Sequence, residues 1–200
     1  MNAKYKAQLQ QQDSRRSLRR QSKSDRRLSA VPEWKKRNNG RDPTPLISSE
    51  FMSDEASCDE GYTPEDKEQQ VEWNERMNEI IYKDLSAEEL KGAVLAFELI
   101  DPLWRSKRVR KIFAELDAIH LENLDEKARK KFNRRVKTDR TSNRLPNDTP
   151  YDYAISQKWY NDNKDSGNMS AALEDWYCYV NPEGWDGDIE DSSDSEAGED

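Results

Sequence analysis

The sequence predicts an all-α fold in which a small helical core is flanked by long disordered segments with blocks of like charge. Apolar residues recur at helical spacing between residues 63 and 137, and no alternation typical of a strand persists. Only 33% of the 200 residues are hydrophobic, whereas 37% are charged. Ordering the backbone costs about 1–2 kcal/mol of entropy per residue. The small apolar surface of this chain can offset that cost over only part of its length.

The flanking segments are predicted from composition. In residues 1–62 Arg, Ser, Gln and Asp dominate and prolines recur, so we expect a disordered arm, first basic and then acidic, with at most a frayed helix near residues 5–27. Residues 182–200 are acidic and rich in Gly and Ser, which predicts a disordered tail. Residues 138–148 are predicted to be a linker.

The first two helices of the core, residues 63–137, are predicted from capping signals. Thr63 precedes Pro64 and two acidic residues, which is typical of a helix N-terminus. The face that follows contains Val71, Trp73, Met77, Ile80 and Ile81. A second helix is predicted from the capping box Ser86–Glu89, through Leu90, Ala93, Val94 and Phe97, to Pro102.

The third helix has the cleanest amphipathic pattern. Ser106 can cap it, and its apolar stripe comprises Val109, Ile112, Phe113, Leu116 and Ile119. We expect Phe97 to be buried with Ile112, Phe113 and Leu116. A fourth helix is predicted over residues 125–137, and a further short helix within 149–181, beginning at Thr149.

The charges fall into four blocks of alternating sign. The net charge is +10 over residues 1–41, −10 over 42–75, +8 over 102–144 and −13 over 145–200. Such blocks can bind oppositely charged partners, can bind one another, or can simply keep the chain solvated.

Three basic clusters are the candidate sites for nucleic acid or for a nuclear-import receptor, because clustered cations bind polyanions and acidic grooves. They comprise Arg15, Arg16, Arg19 and Arg20; Lys35, Lys36 and Arg37; and Arg129, Lys130, Lys131, Arg134 and Arg135. Ser17 and Ser29 follow arginines and Ser193 lies among acids, so all three are candidate phosphorylation sites.

Two aromatic segments stand among acidic residues. Trp176, Tyr177 and Tyr179 form one, and Trp185 lies in the other. This mixture is typical of disordered segments that present aromatic rings to a partner. For Trp176, Tyr177 and Tyr179 we favour the alternative that they pack onto the helical core.

No catalytic constellation is evident. His120 is the only histidine, and the two cysteines, Cys58 and Cys178, have no metal-ligand spacing. We therefore expect no enzyme activity, no cofactor and no bound metal.

The favoured interpretation is a nuclear protein that binds nucleic acid or chromatin through its basic blocks, with a competing acidic tail. The alternatives are an adaptor whose apolar stripe binds a partner helix and, third, a fragment of an enzyme. A nuclear or cytoplasmic location without membrane contact is expected, because no signal-peptide core or membrane-spanning run is present.

Overall fold

The computed structural model of the chain combines helices with a three-stranded sheet, so the all-α prediction is wrong. It describes residues 3–59, 62, 66–82, 96–167, 169–176, 181 and 185, with side chains from residue 6 onward. The helices within these residues are α1 (Ala3–Arg37), α2 (Lys67–Ile81), α3 (Lys107–Glu122), α4 (Glu126–Lys131), α5 (Gln157–Asn163) and α6 (Ser170–Leu173). The strands are β1 (Asp54–Ala56), β2 (Ala96–Pro102) and β3 (Arg134–Ser142), and 3-10 turns span Thr44–Leu46, Ser49–Phe51 and Asp152–Ala154.

The sheet has the order β1-β2-β3. Strand β1 is antiparallel to β2, with Glu55 opposite Leu99. Because the sheet is mixed, β3 runs parallel to β2 on its other side. The residues of β2 alternate between buried and half-buried, whereas we had placed them in the second helix. A short apolar run fits either element, and here pairing with two other strands decides for the strand.

The fourth predicted helix is shorter than its pattern suggested. Asp125 caps α4 by accepting a hydrogen bond from the Ala128 amide at 2.7 Å, but the helix ends at Lys131. The residues that follow form β3, in which Val136 is buried. The β-branched residues of this segment suit a pleated surface, so the prediction of helix through Lys137 was wrong.

Helix α1 occupies most of the arm for which we predicted disorder. It ends where Asn39 and Gly40 adopt the left-handed conformation, at φ values of 54° and 83°. The Gly40 amide there donates to the Lys35 carbonyl at 2.8 Å, which closes the helix C-terminus. Helix α1 contains Pro32 but does not end there.

The chain divides into two compact units. Unit 1 comprises residues 1–22, 53–101 and 125–141, and unit 2 comprises residues 23–52, 102–124 and 142–200. Unit 1 holds most of the sheet. Unit 2 holds α3, α5 and α6 together with the later part of α1.

The core of unit 2 is rich in aromatic residues. The predicted stripe of α3 is buried there in full, and Ser106 caps the helix by accepting from the Val109 amide, as expected. The stripe packs with Trp34, Trp104 and Trp176, so Trp176 lies in the core as we favoured. Tyr177 and Tyr179 lie outside the described residues.

Among the described residues, the core of unit 1 is small. Trp73 and Met77 of α2 pack with Ala96 and Val136 of the sheet, whereas Val71 and Ile80, predicted on the same helix face, are exposed. Phe97 is only half-buried and belongs to this unit, so the prediction that it joins the α3 stripe was wrong. The helix start at Thr63 and the capping box Ser86–Glu89 lie outside the described residues.

Candidate functional site

The first basic cluster, on α1 in unit 1, is bound largely to β1. Arg19 donates from Nη1 to the Glu55 carbonyl at 2.8 Å, and its guanidinium lies 4.4 Å from the centre of the Phe97 ring. Burial lowers the pKa of this guanidinium. Arg20 forms an ion pair with Asp54, and its side chain is 15% exposed. These two arginines therefore stabilise the fold. Arg15 and Arg16, the other two members of the cluster, are half-buried.

The second basic cluster, at the end of α1 in unit 2, faces carboxylates. Lys35 donates to Asp42 at 2.9 Å and Lys36 to Glu33 at 3.3 Å. Arg37 bonds to Glu33 at 3.1 Å and to Glu122 at 2.9 Å. These ion pairs are partly or largely exposed, so each contributes little to the stability of the fold. Another anion can therefore take the place of the carboxylate in each pair.

The third basic cluster remains mostly on the surface of unit 1. Arg135 is the exception, because its Nε donates at 3.1 Å to Glu55, a carboxylate that is 2% exposed. Six exposed cations of α4 and β3 form what we call the α4 basic surface: Lys127, Arg129, Lys130, Lys131, Arg134 and Lys137. Lys130 pairs with Glu126 at 2.6 Å, but both side chains are more than 70% exposed, so the pair holds Lys130 only loosely.

Two of the candidate phosphorylation sites lie on the exposed face of α1. The Ser29 hydroxyl donates to the Arg26 carbonyl at 2.6 Å and lies 3.5 Å from Nδ1 of His120. Arg27, part of the basic motif before Ser29, is buried and forms two bonds with Asp117, at 2.9 and 2.7 Å. Ser17 is exposed, and Ser193 lies outside the described residues.

Two buried carboxylates had no signal in the sequence. Glu55 of β1 and Glu98 of β2 are both almost fully buried. Glu98 accepts hydrogen bonds from Thr138 at 2.8 Å and from Arg140 at 2.9 Å. Because each carboxylate has a guanidinium partner, both are explained as structural ion pairs that connect the strands.

An aromatic cleft in unit 2 is the second feature that sequence reasoning missed. Trp185, which we predicted to lie in a disordered tail, is fully buried. Its ring stacks on Trp34 with centroids 6.3 Å apart and meets the edge of Tyr153 at 4.7 Å. The Arg41 guanidinium lies 4.0 Å from its centroid, and its Nε1 donates to the Asp42 carbonyl at 3.0 Å.

Open space of about 260 Å³ lies beside Trp185. The cations at this space are Arg41, Arg108 and Lys111. Among the described residues that line it, the one carboxylate is that of Glu115, which accepts a hydrogen bond from the Trp34 indole at 2.8 Å. The described part of the cleft therefore combines aromatic rings with three cations and one carboxylate.

Chemistry-bearing residues are sparse in the part of the chain that the structure describes. Within it, no group of three His, Cys, Asp or Glu side chains could hold a metal ion. Cys58 is buried and accepts a hydrogen bond from Gln12, and burial raises the pKa of its thiol.

No helix among the described residues combines the length and the apolar character needed to span a bilayer. No family model matches the chain, and comparisons with curated proteins and with solved structures find no match.

Proposed function

We propose that the protein binds nucleic acid, without enzymatic activity, through the phosphate contacts of the α4 basic surface. The observation that carries this proposal is the exposure of six cations within the eleven residues 127–137. Clustered cations on one surface release counterions from a polyanion, which drives sequence-independent binding.

The α4 basic surface is a better candidate than the first cluster, because fewer of its charges are held within the fold. It is also a better candidate than the second cluster, in which every cation already pairs with a carboxylate. Arg19 and Arg20 are bound to β1, and Arg135 is bound to Glu55. Replacing these internal partners by phosphates would break contacts that stabilise unit 1. The exposed cations of α4 can contact phosphates without such a loss.

The apolar stripe of α3 does not support the adaptor alternative. All five of its residues are buried within unit 2. A partner helix could reach them only if unit 2 opened.

The proposed binding is not base-specific, because contacts to phosphates position a protein on nucleic acid but do not read its sequence. Affinity should fall steeply with salt, with a log–log slope of about −0.9 for each phosphate neutralised on duplex DNA. We propose a nuclear or cytoplasmic location, in which the chain would meet DNA or RNA.

A matched pair of variants tests the proposal. Lys130→Glu with Lys131→Glu reverses two exposed charges of the α4 basic surface, including the i,i+4 pair with Glu126. Lys158→Glu with Lys164→Glu makes the same charge change on exposed residues of unit 2, and Lys158 likewise has an i,i+4 pair, with Asp162. Fluorescence anisotropy against a short duplex at low salt measures both.

We expect the α4 variant to bind about tenfold more weakly or worse, with a salt slope shallower by up to about 1.8, since two phosphate contacts are lost. The control variant should lose much less, because only its long-range charge changes. Equal losses in the two variants would show that net charge alone governs binding. Absence of binding by the unaltered chain would end the proposal.

A further inference from the structure

Four residues of unit 2 contact the Trp185 indole and form what we call the socket: Trp34, Arg41, Asp42 and Tyr153. These contacts come from three separate segments: Trp34 at the end of α1, Arg41 and Asp42 in the following loop, and Tyr153 in a 3-10 turn. Two rings and a guanidinium contact the indole, and its one hydrogen-bond donor, Nε1–H, is bonded. Such a socket favours tryptophan, because phenylalanine would lose the hydrogen bond and an aliphatic side chain would lose the stacking as well.

The space beside the indole has the charge to hold acidic residues. Arg41, Arg108 and Lys111 lie around it, and Glu115 is the one carboxylate among the described residues that line it. In the sequence, Trp185 is followed by Asp186, Asp188, Glu190 and Asp191. The cleft is thus complementary in charge to a peptide in which acidic residues follow a tryptophan.

We propose that this cleft is a binding site for a partner protein that presents a tryptophan followed by acidic residues, and that the chain's own Trp185 occupies the socket until such a partner displaces it. An intramolecular ligand has an effective concentration in the millimolar range, so it raises the concentration of partner needed. The chain's own segment thereby sets a threshold that only a well-matched or locally concentrated partner exceeds.

A labelled peptide with the sequence of residues 181–191 is the probe for this site. It carries Trp185 and the four acidic residues that follow it. Full-length Trp185→Ala leaves the socket empty and should bind the peptide at least about tenfold more tightly than the unaltered chain does, because the intramolecular competitor is gone. A peptide with alanine in place of the tryptophan should not bind.

Two lysines one turn apart on α3 provide a matched control. Lys107 and Lys111 are both exposed, but only Lys111 lines the cleft. In the Trp185→Ala background, Lys111→Glu should weaken peptide binding about tenfold, since it places a like charge beside the acidic residues. Lys107→Glu should change it less than about twofold.

The proposal is overturned if folded Trp185→Ala, with unchanged circular dichroism at 222 nm, does not bind the peptide. It is also overturned if the two lysine variants lose affinity equally. Should Trp185→Ala fail to fold, the unaltered chain serves instead. Excess peptide should then shift the indole N–H resonance of Trp185, assigned through Trp185→Phe, and an unmoved resonance would overturn the proposal.

Discussion

Replacing Arg135 by methionine should destabilise the protein far more than its place in a basic cluster suggests. Arg135 bonds through Nε to Glu55, whose side chain is 2% exposed, and its own side chain is 17% exposed. Its guanidinium also lies 4.1 Å from the centre of the Phe132 ring. Methionine keeps the aliphatic length but removes the charge, so the Glu55 carboxylate loses this guanidinium partner.

Removing one partner of a buried ion pair typically costs about 3–5 kcal/mol. We expect the lower end of this range, about 3 kcal/mol, because Arg19 remains close to Glu55 and bonds to its carbonyl. With a urea m-value of about 2 kcal/mol per molar, the unfolding midpoint should fall by about 1.5 M. Urea titration followed by circular dichroism at 222 nm measures this shift.

Two further variants isolate the cause. Lys158→Met breaks the exposed pair with Asp162, whose side chains are 87% and 58% exposed, and should cost less than about 1 kcal/mol. Adding Glu55→Gln to Arg135→Met removes the buried charge that has lost its Arg135 partner and should restore about half of the lost stability. The reasoning is refuted if Arg135→Met costs no more than Lys158→Met, or if the double variant is no more stable than Arg135→Met alone.

Phe113→Ala should cost about 3–5 kcal/mol in the free energy of unfolding, because the ring is fully enclosed and Arg27 stacks on it at 4.1 Å. Leu121→Ala, on the same helix but 36% exposed, should cost about 1 kcal/mol or less, and similar melting curves for the two would contradict the burial of Phe113. Deleting residues 186–200 removes eight side-chain carboxylates and keeps Trp185. If the acidic tail competes for the cations, this deletion should tighten nucleic-acid binding in anisotropy titrations. Unchanged affinity would exclude that competition. Hydrogen bonds from the Thr44 hydroxyl and then from Lys35 lower the pKa of Asp42 from 3.8 to about 2. These bonds therefore stabilise the folded state fully above pH 3.8, and their contribution is lost as the pH falls through about 2. An NMR titration midpoint near 3.8 for Asp42 would contradict this.

The α3 helix is the part of the fold that the sequence alone determines. Its cap at Ser106 and its five-residue stripe form a local pattern, in which residues three and four positions apart share a face whatever surrounds them. The start of α4 is local as well, because Asp125, where the predicted fourth helix begins, caps it. Exposure of the α4 cations also follows from local composition, because charged residues remain in water unless a partner is buried with them.

Elements that depend on distant partners could not be deduced in this way. Residues 96–100 form a strand because β1 and β3, about forty positions away on either side, pair with them. Helix α1 is polar and would be marginal in isolation, since isolated helices rarely form without an apolar face to bury. In the fold it gains Trp34 in the core of unit 2 and the bonds of Arg19 and Arg20 to β1 in unit 1.

The charge blocks show most clearly what the sequence alone determines and what depends on the tertiary structure. Their signs can be counted from the sequence, which predicts that they bind either partners or one another. Only the tertiary structure decides which cations are used internally, because Arg135 meets Glu55 across 80 positions and Arg27 meets Asp117 across 90. Pairing over such separations depends on which strands and loops the hydrophobic cores bring together, and no local pattern encodes it.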